Sequence, residues 1–212
     1  AEPLFRSKMP SKFVILETLP EIQKEVMKAF TKDLNIYFNA KLPQAHASIR
    51  ATVYDLILNN PTADSLRGGV LKTDFGLNFD PTDAVAKAVA SSVEMDYTPL
   101  TPKLKGGYNI RIQPLDYINI LTIPESVVVS EKGVQLPWLE WLTEYGDSII
   151  SLNFGVFYNA GMGRSQGGIM VPSMGPFMVD PAYSGTATDN WITRAIEAGI
   201  PSLEQGLIKI LS

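Results

Sequence analysis

Residues 20–59 read PEIQKEVMKAFTKDLNIYFNAKLPQAHASIRATVYDLILN. Ile22, Val26, Phe30, Leu34 and Tyr37 recur at helical spacing on one face, while Glu21, Lys24, Glu25, Lys28 and Lys32 fall mostly on the other. Thr18 followed by Glu21 has the spacing of a capping box. Pro43 lacks an N–H and crowds the preceding turn, so it interrupts or kinks the helix. Ala45, Ile49, Val53, Leu56 and Ile57 then resume the apolar stripe, and Asn59-Asn60-Pro61 ends it. The pattern predicts a long amphipathic helix or a helical hairpin over about residues 20–59.

On the N-terminal side, residues 1–18 read as an arm. Arg6, Lys8 and Lys12 stand beside Pro3 and Pro10, and the arm ends in the apolar run Phe13-Val14-Ile15-Leu16. Such a run packs on its own domain or on a neighbour. The first residues lack the charged-then-apolar order of a signal peptide, so a cytosol-like setting is expected.

On the C-terminal side, Thr62 to Asp80 reads as a loop containing Gly68-Gly69. Asp80-Pro81 can start a short helix over Ala84–Ala90. The period then changes. Val93–Tyr97 and Tyr108–Ile112 alternate around Gly106-Gly107, as two strands of a hairpin would. Val127–Val129 is β-branched. Trp138–Tyr145 suits two helical turns, with Gly146 beyond them. Ile150–Val156 alternates as one half-buried strand, and Ile169–Val171 and Phe177–Val179 are weaker strands. Asp189 can cap a helix over Asn190–Ala198, and Ser202 a last one to Leu211. The expected class is α+β: a long N-terminal helix or helical hairpin, a central antiparallel sheet and C-terminal helices, in a single domain over 19–212.

The 212 residues carry 18 Lys and Arg against 22 Asp and Glu, a net charge of −4. A protein that grips DNA electrostatically carries a basic footprint instead. The charge is unevenly placed: residues 1–106 are near neutral at +1 and residues 107–212 carry −5. The absence of Cys excludes disulfides, thiolate zinc sites, iron–sulfur clusters and thiol catalysis, and a lone His46 excludes multi-histidine metal sites. No window approaches the roughly 20 apolar residues of a membrane span. No metal, cofactor or membrane partner is therefore expected.

Several constellations look chemical and have simpler readings. Gly163-Arg164-Ser165-Gln166-Gly167 matches the nucleophile elbow of serine hydrolases, yet strand-like residues follow it where a helix is needed. Gly161, Gly163, Gly167 and Gly168 miss the dinucleotide spacing. Asp80 and Asp83 suit helix capping. Glu140 and Glu144 lie one helical turn apart beside Trp138, Trp141 and Tyr145, where a glycosidase acid pair is the functional reading and a solvated face the plain one. Trp138, Trp141 and Trp191 would serve a carbohydrate-binding module if exposed, although Trp is more often buried.

Residues 155–188 are the most informative stretch. They hold two charged residues, Arg164 and Asp180, together with seven Gly, three Pro and four of the seven Met. A charge-poor Gly/Met segment is badly suited to water, and Met adapts to irregular apolar surfaces. A long loop or hairpin is expected here, covering the protein's own core in the plain reading and meeting another subunit in the functional one. The candidate subunit-interface residues are Phe13, Val14, Ile15 and Leu16 of the arm, with Met162, Met170, Met174, Phe177 and Met178 of this stretch.

Leu136-Pro137-Trp138-Leu139-Glu140-Trp141-Leu142, Gly161-Met162-Gly163-Arg164-Ser165 and the run Ser184 to Ala195 resemble virion structural proteins of tailed bacteriophages. The layout over 20–212 is similar to their neck, or tail-completion, proteins. These open on a long amphipathic helix and a Gly-x-Leu-basic segment, matched by Gly69-Val70-Leu71-Lys72. A sheet with an aromatic–acid–aromatic–Gly stretch follows, compared with Trp138–Gly146. A final helix comes after a Pro/aromatic segment, here Pro176–Asn190. The resemblance implies a non-enzymatic homo-oligomeric ring in the neck of a virion, made in the host cytoplasm. Its partners would be adjacent neck, connector and tail proteins, and DNA would pass through its lumen without specific binding. The tail terminator and an adaptor ring are the neighbouring stations. A near-neutral or acidic lumen suits passage, because basic patches would act as a brake. A small hydrolase at Ser165 or at Glu140 and Glu144, or a carbohydrate-binding module, is the alternative of another class.

Overall fold

The computed structural model describes residues 18–114, 116–130, 133–146 and 148–212. The arm residues Phe13, Val14, Ile15 and Leu16 lie outside the described residues.

Helix α1 (Leu19–Leu58) is continuous and starts with the expected capping box. The Thr18 amide donates to the Glu21 carboxylate at 2.8 Å. Pro43 lies inside the helix without breaking it. Pro43 faces solvent, where water can serve the freed carbonyl of the preceding turn. The helix is also held on both sides of it. Phe38 packs against Tyr97 and Tyr108 on one side, and Ala45 and Ile49 are buried on the other.

The segment expected as a loop over 62–80 holds two short helices, α2 (Pro61–Gly68) and α3 (Val70–Asp74). Asn60 caps α2 by accepting from the amides of Thr62 and Ala63, with Pro61 in the first turn. Helices this short show too few turns for an apolar period. α4 (Thr82–Ser91) follows, with Asp80 accepting from the Thr82 amide.

β1 (Glu94–Thr98) and β2 (Gly107–Arg111) form the expected hairpin, pairing Glu94 with Arg111 and Thr98 with Gly107. Short elements follow: α5 (Ile118–Leu121), β3 (Val128–Val129), β4 (Gln135–Leu136) and α6 (Trp138–Thr143). The strand expected over 150–156 is two strands, β5 (Ile149–Ser151) and β6 (Phe154–Tyr158), split at Leu152-Asn153. β5 pairs with β8 (Phe177–Met178), and β6 with β7 (Gly168–Pro172). Among the described residues the strands are antiparallel, and they form four two-stranded ribbons rather than one continuous sheet.

One helix, α7 (Trp191–Leu211), stands where two were expected. Asn190, not Asp189, is its N-cap, and the solvent-facing Pro201 is accommodated within it. α7 runs antiparallel to α1. The Gly199 backbone lies against Leu56, Gly206 faces Ser48, and the Leu211 carbonyl accepts from the Tyr37 hydroxyl at 3.5 Å. A Cβ on Gly199 would sit 2.1 Å from the Leu56 side chain, so glycine is what lets the two helices cross this closely.

The core joins Ile49, Val53 and Ile57 of α1 to Val85, Ala86 and Val89 of α4 and to Ile192 and Leu203 of α7. It continues through Leu66, Leu71 and Phe75 to Trp138, Leu139, Leu142, Phe177 and Val179. Asn190 is fully buried at its centre. Its amide donates to the Tyr117 hydroxyl at 2.7 Å and to the carbonyls of Thr186 and Thr143. Its oxygen accepts from the Ile192 and Thr193 amides. One side chain thus ties the start of α7 to two segments distant in the sequence, at Tyr117 and at Thr143.

Candidate assembly surfaces

The order of contacts along α1 defines two ends of the molecule. Residues 35–38 meet the β1–β2 hairpin and the end of α7. Residues 46–50 meet Val93 and Ser91, and Tyr54 meets Asp83. Beyond Leu58 come α2, α3 and the β6–β7 hairpin. From Asn35 to Leu58 the helix rises about 35 Å at 1.5 Å per residue.

At the first end, the N-terminal half of α1 projects with Leu19, Val26, Phe30, Ile36 and Tyr37 exposed, Phe30 by 50%. At 100° per residue, Val26 and Phe30 point roughly 100–140° away from Ile49. They form a second apolar stripe, distinct from the one that builds the core. Beside it runs a groove lined by Ile36, Ala40, Tyr97, Pro99 and Pro102, with Lys28 and Lys32 on its rim. Asn35 fixes this wall: it accepts from the Tyr97 hydroxyl at 2.6 Å and from the Leu100 amide at 2.7 Å.

At the other end, the β6–β7 hairpin carries apolar side chains on both faces. Phe154, Tyr158 and Met170 alternate with Phe157 and Ile169. An isolated two-stranded hairpin is marginal in water, so what holds this one matters. The Gly163–Gly168 turn lies against α3, and a Cβ on Gly167 would meet the Thr73 hydroxyl at 2.2 Å. Gly163 has φ +69° and faces the Gly168 carbonyl, so the turn needs glycine there. Arg164 donates to the Val129 carbonyl at 2.6 Å. The Tyr158 hydroxyl donates to the buried Asp74 carboxylate. Burial raises the Asp74 carboxyl above its ordinary range; the Tyr158 bond opposes this and nearby Asp180 adds to it. Burial first, and then Asp74, push the Tyr158 phenol well up.

The expected interface residues divide. Met170 and Met174 are exposed, Met162 and Met178 half-buried, and Phe177 is packed in the protomer's own core at 6% exposure, where it has no surface to offer a partner. Ile149, Leu152, Phe154, Phe157 and Tyr158 are exposed around them. Alternation in 150–156 marked a half-buried strand but could not show that its inward face is shallow. The α1 stripe was missed as a separate surface, although counting its phase across Pro43 reveals it.

The chemical constellations take structural places. Ser165 sits in the hairpin turn, followed by β7 instead of a helix, and its Oγ accepts from the Gly167 amide at 3.3 Å. His46 stands elsewhere, with Nε2 2.8 Å from the Val93 carbonyl. It borders a cleft whose other charged side chains are engaged: Arg50 with the Ser91 carbonyl, and Arg111 with Glu94 and Asp96. Trp138 and Trp191 are buried, and Trp138 donates to the Glu125 carbonyl. Burial and then Glu140 raise the Glu144 carboxyl. Among the described residues there is no group of three metal-ligating side chains, and no helix is long and apolar enough to cross a membrane. No family model, curated protein or solved structure matches the chain.

Proposed function

We propose that this chain is a non-enzymatic structural subunit of a bacteriophage virion that forms a homo-oligomeric ring in the neck, at the head–tail junction. Tail terminator and adaptor ring are neighbouring stations that the same subunit geometry would serve. The observation that carries the reading is the pair of apolar surfaces at opposite ends of α1 that no other described residue covers. A ring closes through a heterologous contact, which requires two different surfaces on each subunit. The net charge of −4 supports a lumen that lets DNA pass without holding it. Its remaining partners would be the adjacent neck, connector and tail proteins.

The test is light scattering coupled to size exclusion, with electron microscopy of each peak and binding of the chain to isolated phage tails. Closed rings in solution or on tails are expected. A single-chain mass at every concentration, with no binding to tails, would remove the proposal.

A further inference from the structure

We propose that the β6–β7 hairpin of one copy docks onto the exposed stripe and groove of α1 in the next copy. The proposal rests on the ring reading and names the contact that builds it.

Charge complementarity and area point to this occupant. Around the α1 end, residues 18–44 and 94–111 carry seven Lys and Arg against five Asp and Glu. Around the hairpin end, the described residues of 61–80 and 133–188 carry six carboxylates against Arg67, Lys72 and Arg164. The two ends therefore have net charges of opposite sign. Charges so arranged steer encounter and fix orientation more than they add affinity. They also disfavour α1 against α1 and hairpin against hairpin, because each such pairing brings like charge together.

Area agrees. At roughly 200 Å² per large side chain, the exposed apolar residues over 149–174 leave about 700 Å² to cover, and those of α1 with Leu104 about 650 Å². A standard interface hides about 800 Å² on each partner. Each surface is close to one interface's worth. The shapes also match in kind, since a two-stranded ribbon with side chains on both faces fits a groove and the ridge beside it.

The chain has no Cys, so introduced cysteines report without background. Phe30→Cys and Phe157→Cys chains are treated with a short bis-maleimide, alone and as an equimolar mixture, with Ile36→Cys and Met170→Cys as a second pair at other exposed positions. Circular dichroism confirms that each variant folds. The mixture is expected to give a heterodimer in about tenfold excess over either homodimer, and a chain carrying both cysteines a ladder of oligomers. Dominant Phe30→Cys homodimers would place α1 against α1, and dominant Phe157→Cys homodimers hairpin against hairpin; either overturns the proposal. Absence of cross-linking by both pairs overturns it as well. If the unmodified chain still forms rings in that case, the ring reading survives with its contact elsewhere. The ring reading falls separately, on the mass and micrographs of the unmodified chain.

Discussion

The two halves of α1 are built from similar residues and meet opposite fates. Ala45, Ile49, Val53 and Ile57 in the C-terminal half are removed from water against α4 and α7. Leu19, Val26, Phe30 and Ile36 in the N-terminal half stay exposed. The β6–β7 hairpin repeats the second case at the other end of the molecule. Burial contributes about 25 cal/mol per Å² of apolar surface, and here that contribution is taken up within the chain at its centre and left unused at its ends. The difference separates the apolar surface that folds the chain from the surface that the proposed ring contact would use.

That comparison breaks most visibly at the centre. Ile57→Ala should lower the stability of the isolated chain by about 2–5 kcal/mol through transfer and cavity costs, read as a fall in the urea midpoint with unchanged slope. Asn190→Ala should cost about 3 kcal/mol, because it removes a helix cap and takes a donor from the Tyr117 hydroxyl and from the carbonyl of the buried Thr143. If either variant unfolded with the wild-type midpoint, the centre would not be the closed unit described.

The hairpin root should respond less. Tyr158→Phe leaves the Asp74 carboxylate without its donor and should cost about 1–2 kcal/mol. Its pH dependence sharpens the point. The folded state raises the Asp74 carboxyl, so between the ordinary Asp value and the raised one the folded protein holds a proton that the unfolded chain has lost. Stability from this group is therefore present at low pH and lost as pH rises through that window. Asp74→Asn keeps an acceptor for Tyr158, carries no charge, and should flatten that part of the stability profile. An unchanged profile would show that Asp74 is not held as described.

The smallest effect on folding belongs to the ends. Phe157→Ser and Phe30→Ser should each lower monomer stability by about 1 kcal/mol and yet abolish self-association seen by light scattering. Loss of both folding and assembly would place these residues in the subunit's own core.

Much of this was legible in the chain. The 3.6-residue period gave α1, and alternation with Gly106-Gly107 gave the β1–β2 hairpin. Of the four Met in the charge-poor stretch, Met170 and Met174 are exposed. What the chain hid has physical causes. α2 and α3 are too short to show a period. Ser202 suggested the cap of a separate last helix, whereas α7 runs through that point with Pro201 inside it. Leu152-Asn153 passes as the middle of a strand until β5 and β6 are seen to pair with different partners. The α1 stripe looked like one continuous face because Pro43 invited a restart of the count. Residues before and after it are out of phase, and only one set can face the core. Phe177 was grouped with the exposed Met residues by composition, whereas its place in β8 turns it inward.

Hydrogen exchange at low and high protein concentration tests the central claim most directly, because it reads local protection along the whole chain. Amides of β6, β7 and the N-terminal half of α1 should gain protection as concentration rises, while those of α1 over 45–57 and of α7 stay as they were. Protection that changes at neither end, or rises mainly in the core helices, would contradict a subunit closed at its centre and completed at its ends by its neighbours.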